Sequence, residues 1–196
     1  MIWPTPLEWL AVAFILVNVW LAMKVNIWCW PVGIVGVVLY GIVFWQGHLY
    51  ANAALQVVYL VLSIHGWYEW LHGGLNKTEP PIRRASATVM IVCLLATAAL
   101  TAPIMWLLLH MQNPAFPFWD ALTVAISLVG QWLMNEKYLE NWIYWIVVDV
   151  MYVPLFIAEK LPASAPLYAI LTVMAWRGYI DWKRTAAAEA AIAVAA

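Results

Sequence analysis

Charge is scarce in this chain. Of its 196 residues, 9 are Lys or Arg and 10 are Asp or Glu, so charged side chains make up only 10%. A soluble domain carries about a quarter. With no basic surplus there is no field to hold a phosphate backbone, which excludes a nucleic-acid-binding domain. Cysteine is nearly absent. Cys29 and Cys93 both lie in apolar runs and read as small buried hydrophobes, not as a disulfide scaffold. G-x-S-x-G, H-E-x-x-H and P-loop patterns are missing, and His48, His65, His72 and His110 are scattered. Neither an enzyme, a metal site nor a cofactor is therefore expected. What the chain has in plenty is apolar surface. Hydrophobic residues reach 66%, with 15 Trp, and the mean hydropathy is +0.84. The class that remains is a polytopic membrane protein.

Apolar runs long enough to cross a bilayer occupy about 7–23, 28–45, 49–71, 85–111, 116–134, 142–158 and 161–182. Turn or polar residues break them at Lys24-Val25-Asn26, Gln46-Gly47-His48, Asn113-Pro114, Asn135-Glu136-Lys137 and Glu159-Lys160. A longer loop runs from Gly73 to Arg84. The spacing predicts seven transmembrane helices. The first span lacks a basic leader and a small-residue cleavage site, so it reads as a retained helix, with Met1-Ile2-Trp3-Pro4 as an interfacial anchor.

Seven crossings put the termini on opposite sides. Lys24, Lys77, Arg83, Arg84, Lys137, Lys183 and Arg184 fall on one face, and Arg177 can snorkel towards it. Only Lys160 falls on the other. The positive-inside rule then predicts an N-terminus outside and a C-terminus in the cytoplasm. Residues 185–196, rich in Ala, read as a frayed cytoplasmic tail.

Residues 7–70 align without gaps on 119–182, with twenty identities in 64 positions. About six would arise by chance in so biased a composition. The pairs include Trp20/Trp132, Trp30/Trp142, Tyr40/Tyr152, Phe44/Phe156, Leu49/Leu161, Ala51/Ala163, Gly66/Gly178 and Trp70/Trp182. This predicts an all-α fold of 3+1+3 helices. A first three-helix bundle (1–72) is followed by a loop and linker helix (73–115), a second bundle (116–184) and the tail. Three helices plus one linker give both bundles the same orientation, the parallel-repeat arrangement of SWEET transporters.

Polar side chains inside a membrane face the bundle interior or a water-filled path. Asn52, Gln56, Tyr59, Ser63, Trp67 and Trp70 recur at steps of three or four on the third span. The fifth carries Thr123, Ser127, Gln131 and Asn135; the sixth Trp142, Trp145, Asp149 and Tyr152; the seventh Tyr168, Thr172, Trp176 and Tyr179. Asp149 is the one acid deep inside a span, and its repeat counterpart is Val37. By depth, Gln56, Tyr59, Ser127, Gln131, Asp149, Tyr152, Tyr168 and Thr172 can converge on one solute, closed on the inner side by Trp67, Trp145 and Trp176. The alternative is that these side chains bond helix to helix. His65–Glu69 and Arg177–Asp181 are (i, i+4) pairs at equivalent repeat positions, read as structural clamps or as an inner gate.

Two stretches go beyond composition. One is Leu49-Tyr50-Ala51-Asn52 with Leu55-Gln56 and Tyr59, ending in Gly66-Trp67-Tyr68-Glu69-Trp70. The other is Glu140-Asn141-Trp142 with Trp145, Asp149 and Tyr152, continued by Leu167-Tyr168 and Gly178-Tyr179 through Trp182. Over roughly residues 8–183 the chain resembles the PnuC family of bacterial vitamin transporters, whose best-known members carry nicotinamide riboside. Asn52 departs from the Asp expected there. The resemblance implies one central site, uptake by facilitated diffusion and trapping by a cytoplasmic kinase. It leaves thiamine, riboflavin or a deoxynucleoside as other solutes, and a SWEET-like sugar carrier as the runner-up. The implied partners are the vitamin and the bilayer. A homo-oligomer, such as a trimer, is compatible with a free face on the fourth helix.

Overall fold

The structure, a computed structural model, describes residues 5–46, 50–75, 78–111, 116–158 and 165–195. Among them run seven α-helices: α1 Pro6–Met23, α2 Cys29–Gln46, α3 Tyr50–His72, α4 Ala87–Met111, α5 Pro117–Asn135, α6 Asn141–Ala158 and α7 Ala165–Ala195. Several sequence expectations fall outside the described residues: the Met1–Pro4 anchor, His48, Leu49, Lys77, the Asn113-Pro114 break, Glu159, Lys160, Leu161 and Ala163.

Each helix covers one predicted span. Even the shortest, at 18 residues, is about 27 Å long, close to the hydrocarbon thickness. By length and composition α1, α2 and α4 suffice to cross a membrane. The others carry the polar stripes. Val57, Val61, Leu94, Leu95 and Trp106 are each more than half exposed, an outer surface suited to lipid.

Helix ends follow local chemistry. Thr5 caps α1, its hydroxyl accepting from the Glu8 N–H while the Glu8 carboxylate accepts from the Thr5 N–H, and Pro6 starts the helix. The turns after α1 and α5 are built alike. Val25 and Lys137 each take φ 53°, and the following amides, Asn26 and Tyr138, bond back to the Leu21 and Leu133 carbonyls at 3.0 and 2.9 Å. This is a left-handed helix cap on a non-glycine residue.

Helix α1 packs on α2 and α2 on α3; α5 packs on α6 and α6 on α7. The two sets meet where α1 touches α7 and where α3 touches α5. The six helices thus form a ring. Among the described residues no backbone contact joins the opposing pairs α1 and α5, α2 and α6, or α3 and α7. Helix α4 lies outside the ring, mainly against α5, with Cys93, Thr97 and Thr101 on its buried side. Both threonines bond back to carbonyls of their own helix.

The turns after α1 and α5, segment 78–86 and the last membrane turns of α3 and α7 gather at one end, with Lys24, Arg83, Arg84 and Lys137. We call this the basic end. A frayed tail is not what lies beyond it. Helix α7 continues to Ala195, because alanine favours helix and because the extension is held. Ala186 packs on the buried cluster, and the Glu189 carboxylate accepts from the Ile82 N–H at 3.2 Å.

Candidate functional site

The middle of the ring holds a tyrosine-rich cluster around one carboxylate. Tyr152 of α6 and Tyr168 of α7 meet with ring centroids 4.7 Å apart and planes at 47°. Tyr168 lies within electrostatic reach of Tyr152, Tyr40, Asp149 and Tyr59. The Tyr59 hydroxyl, on α3, is in hydrogen-bond range of Ser127 on α5. Helices α2, α3, α5, α6 and α7 therefore all contribute. Asp149 is buried, at 5% exposure, and among the described residues it forms no ion pair. A carboxylate at this depth, within electrostatic reach of the Tyr168 phenol, is a costly group to bury in a membrane helix.

Gln56 sits between α3 and α2, where Gly41 gives it room: a Cβ at Gly41 would lie 3.6 Å from the Gln56 Cβ. Gln56 lines a groove of about 400 Å³ between α2 and α3, whose exposed rim of Val38, Ile42, Trp45 and Val57 opens it to the outer surface. Ser127 and Thr172 bond to the Thr123 and Tyr168 carbonyls of their own helices, both at 2.8 Å. Their donors are spent there, and only their lone pairs remain for a solute.

Nearer the basic end, Gln131 donates to Asn135 at 3.1 Å, and Asn135 donates to the Leu62 carbonyl at 2.9 Å and lies 3.4 Å from His65 Nδ1. These bonds tie α5 to α3. Trp145 is half-buried against the cluster at the basic end. Trp67 is partly exposed, at 36%. Trp176 is 59% exposed and shares an outer face of α7 with Ile170 and Val173.

Of the two (i, i+4) pairs, His65 and Glu69 do approach, at 3.7 Å. Arg177 and Asp181 do not pair. Asp181 instead takes Lys24, at 2.8 Å, because the α1–α2 turn brings that ammonium alongside α7 while Arg177 projects outward. Tyr40 is the site residue that polarity stripes miss, since the rest of α2 is apolar. Its alignment with Tyr152 at the 112-residue offset is the signal that could have found it.

A family model described as nicotinamide mononucleotide transporter matches residues 5–184. The chain belongs to this family. Among its relatives, the nicotinamide riboside transporter PnuC of Escherichia coli is 31% identical over 179 residues, covering 79% of this chain and 75% of that protein. The riboflavin/roseoflavin transporter RibM of Streptomyces davaonensis is 28% identical over 171 residues, covering 85% and 79%. The crystal structure of the vitamin B3 transporter PnuC superposes with a TM-score of 0.74 at 26% identity, over 92% of this chain and 81% of that one. Family membership and the apolar helices make this a multi-pass protein of the bacterial inner membrane, a transporter and not an enzyme.

Proposed function

We propose that this transporter takes up nicotinamide riboside, that Asp149 with Tyr152, Tyr168, Tyr59 and Tyr40 forms its central site, and that Gln56 borders it. The observation that carries the reading is that, among the described residues, Asp149 is the one buried carboxylate and the opposing helices of its ring do not touch. The pyridinium ring of the riboside is flat and cationic. Stacking and cation–π contact with a desolvated aromatic contribute on the order of 1–2 kcal/mol each. The carboxamide and ribose hydroxyls match the amide, carboxylate and phenols.

The charge pattern favours a nucleoside over its phosphate. Helices α1 to α6 contain no Lys or Arg, so a dianionic phosphate finds no partner beside Asp149. We read the movement as facilitated diffusion. Capture then depends on phosphorylation in the cytoplasm, which makes the solute unable to return. The basic end faces the cytoplasm, with the N-terminus outside. The architecture is a parallel 3+1+3 repeat with α4 as linker. Supporting this, each neighbour relation of α1, α2 and α3 recurs for α5, α6 and α7, the α1–α7 contact matching the α5–α3 contact. A second reading, riboflavin, is favoured by the RibM relative. It leaves Asp149 without a cationic partner.

The experiment is uptake by proteoliposomes holding purified protein without any ion gradient, with labelled nicotinamide riboside, thiamine, riboflavin and nicotinamide mononucleotide compared. Equilibration of the riboside alone is the expected result. Uptake of riboflavin alone, or uptake only under an imposed proton or sodium gradient, would overturn the substrate or the mechanism respectively.

A further inference from the structure

The basic end is closed by four tryptophans in a row. Trp30 meets Trp70 edge-on at 5.4 Å and 87°, Trp70 meets Trp182 at 5.8 Å, and Trp182 meets Trp142 edge-on at 5.6 Å and 88°. All four are buried. Trp70 comes from the first three helices and Trp182 from the last three, so their contact bridges the two halves of the ring.

Each of these two indoles also bonds across the divide. Trp70 Nε1 donates to the Met134 carbonyl at 3.0 Å, and Trp182 Nε1 donates to the Ala22 carbonyl at 2.8 Å. Donors and acceptors are both 112 residues apart, so one contact is made twice. The acceptors lie in the last turns of α5 and α1, where each carbonyl also accepts a turn amide, from Lys137 at 3.1 Å and from Val25 at 3.0 Å, so the indole takes a second bond to the same oxygen.

Residues 78–85 lie over this plug. Their backbone pairs with the α5–α6 turn: the Arg83 N–H donates to the Lys137 carbonyl at 3.0 Å and the Leu139 N–H to the Arg83 carbonyl at 2.9 Å. The Ala85 N–H donates to Glu140 at 2.8 Å. Lys137 is almost wholly buried. Its ammonium donates to Glu79 at 2.5 Å and to the Pro80 carbonyl at 3.1 Å, and stands 4.5 Å over the Trp70 ring. A buried ammonium is costly unless paired, so Lys137 holds the segment and the indole together. Beside it, Val25, Glu79, Pro80, Pro81, Thr185 and Glu189 border a notch of about 410 Å³.

We propose that Trp70 and Trp182 form the gate at the basic end, and that residues 78–85, fastened by Lys137 to Glu79 and Pro80, are the strap that keeps it shut. This rests on the transport reading: a solute leaving the middle of the ring towards this end must pass between the two indoles. Opening requires the halves to part, which breaks both indole bonds and draws Trp70 from under Lys137.

A native thiol reports on the movement. Cys29 is 2% exposed and belongs to the same buried cluster as Trp30, Trp70 and Trp182. With Cys93→Ala it is the single cysteine. Full-length protein in detergent is treated with a hydrophilic methanethiosulfonate, and the rate of Cys29 modification is measured. Two variants are compared with this background. Glu79→Gln removes the strap's charge at a side chain 63% exposed, and Trp182→Phe keeps a ring but loses the donor. Each is checked for folding by gel filtration and thermal melting. Modification on the order of tenfold faster in the folded variants is expected, as for loss of one charge-assisted or buried hydrogen bond. An unchanged rate in either folded variant overturns the gate. Labelling needs no vitamin, so the two proposals fail separately. Faster labelling in a protein that binds none of the vitamins upholds the gate and discards the substrate.

Discussion

Lys24 reaches Asp181 at 2.8 Å, joining the turn after α1 to the seventh helix 157 residues later. Both side chains are partly exposed, 53% and 29%, which limits the pair to below about 1 kcal/mol. Asp181→Asn should therefore lower the melting temperature slightly, with the difference shrinking in high salt. Arg177→Ala should leave it unchanged, because Arg177 is not the partner. Equal losses from both substitutions would restore the intrahelical pair.

Gly66 and Gly178 each take a tryptophan face at close range. A Cβ at Gly66 would collide with Trp30 Cη2 and lie 2.6 Å from Asn135 Oδ1, and one at Gly178 would lie 2.7 Å from three ring atoms of Trp142. Replacing glycine by alanine inside a helix ordinarily stabilises by up to about 1 kcal/mol. Here overpacking reverses the sign, by roughly 1–3 kcal/mol. Gly41→Ala, with 3.6 Å to spare, should show the ordinary effect. Thermal melts of the three variants in one detergent test the contrast.

Calorimetric titration of nicotinamide riboside tests the site. Asp149→Asn and Gln56→Ala should each weaken binding about ten- to a hundredfold, as for removal of a buried polar partner. Trp176→Ala should bind like the parent, since its ring points away from the ring interior. Parent-like affinity in folded Asp149→Asn would place the site elsewhere.

Orientation is open to a reporter. One that works only in the cytoplasm, fused after Arg184, should be active, and the same reporter at Trp3 silent. The reverse pattern would turn the molecule over and move the gate to the outside.

Helix positions were legible because apolar length and turn residues are local signals; Lys24-Val25-Asn26 and Asn135-Glu136-Lys137 both mark real turns. Tertiary choices were not. Lys24 and Arg177 are both in plausible reach of Asp181 on paper, and only the folded turn after α1 decides between them. Trp176 shares a helical stripe with Tyr168 and Thr172, yet the stripe winds around α7, and its lower part faces outward. The tail was misjudged because a weakly apolar Ala run looks unanchored until Glu189 is seen to hold Ile82. Tyr40 is hidden by the apolar residues around it on α2, and only the 112-residue offset pairs it with Tyr152.

The cluster in the ring is lopsided. Asp149, Tyr152 and Tyr168 all belong to α6 and α7, and the position matching Asp149 in the first half is Val37. On the proposed site, the one charged contact with a solute comes from the second half alone. The solute then stays with α5–α7, and α1–α3 can swing away like a door, letting go with Tyr40, Tyr59 and Gln56. Loading and unloading need not remake the grip, only uncover it first on one side and then on the other.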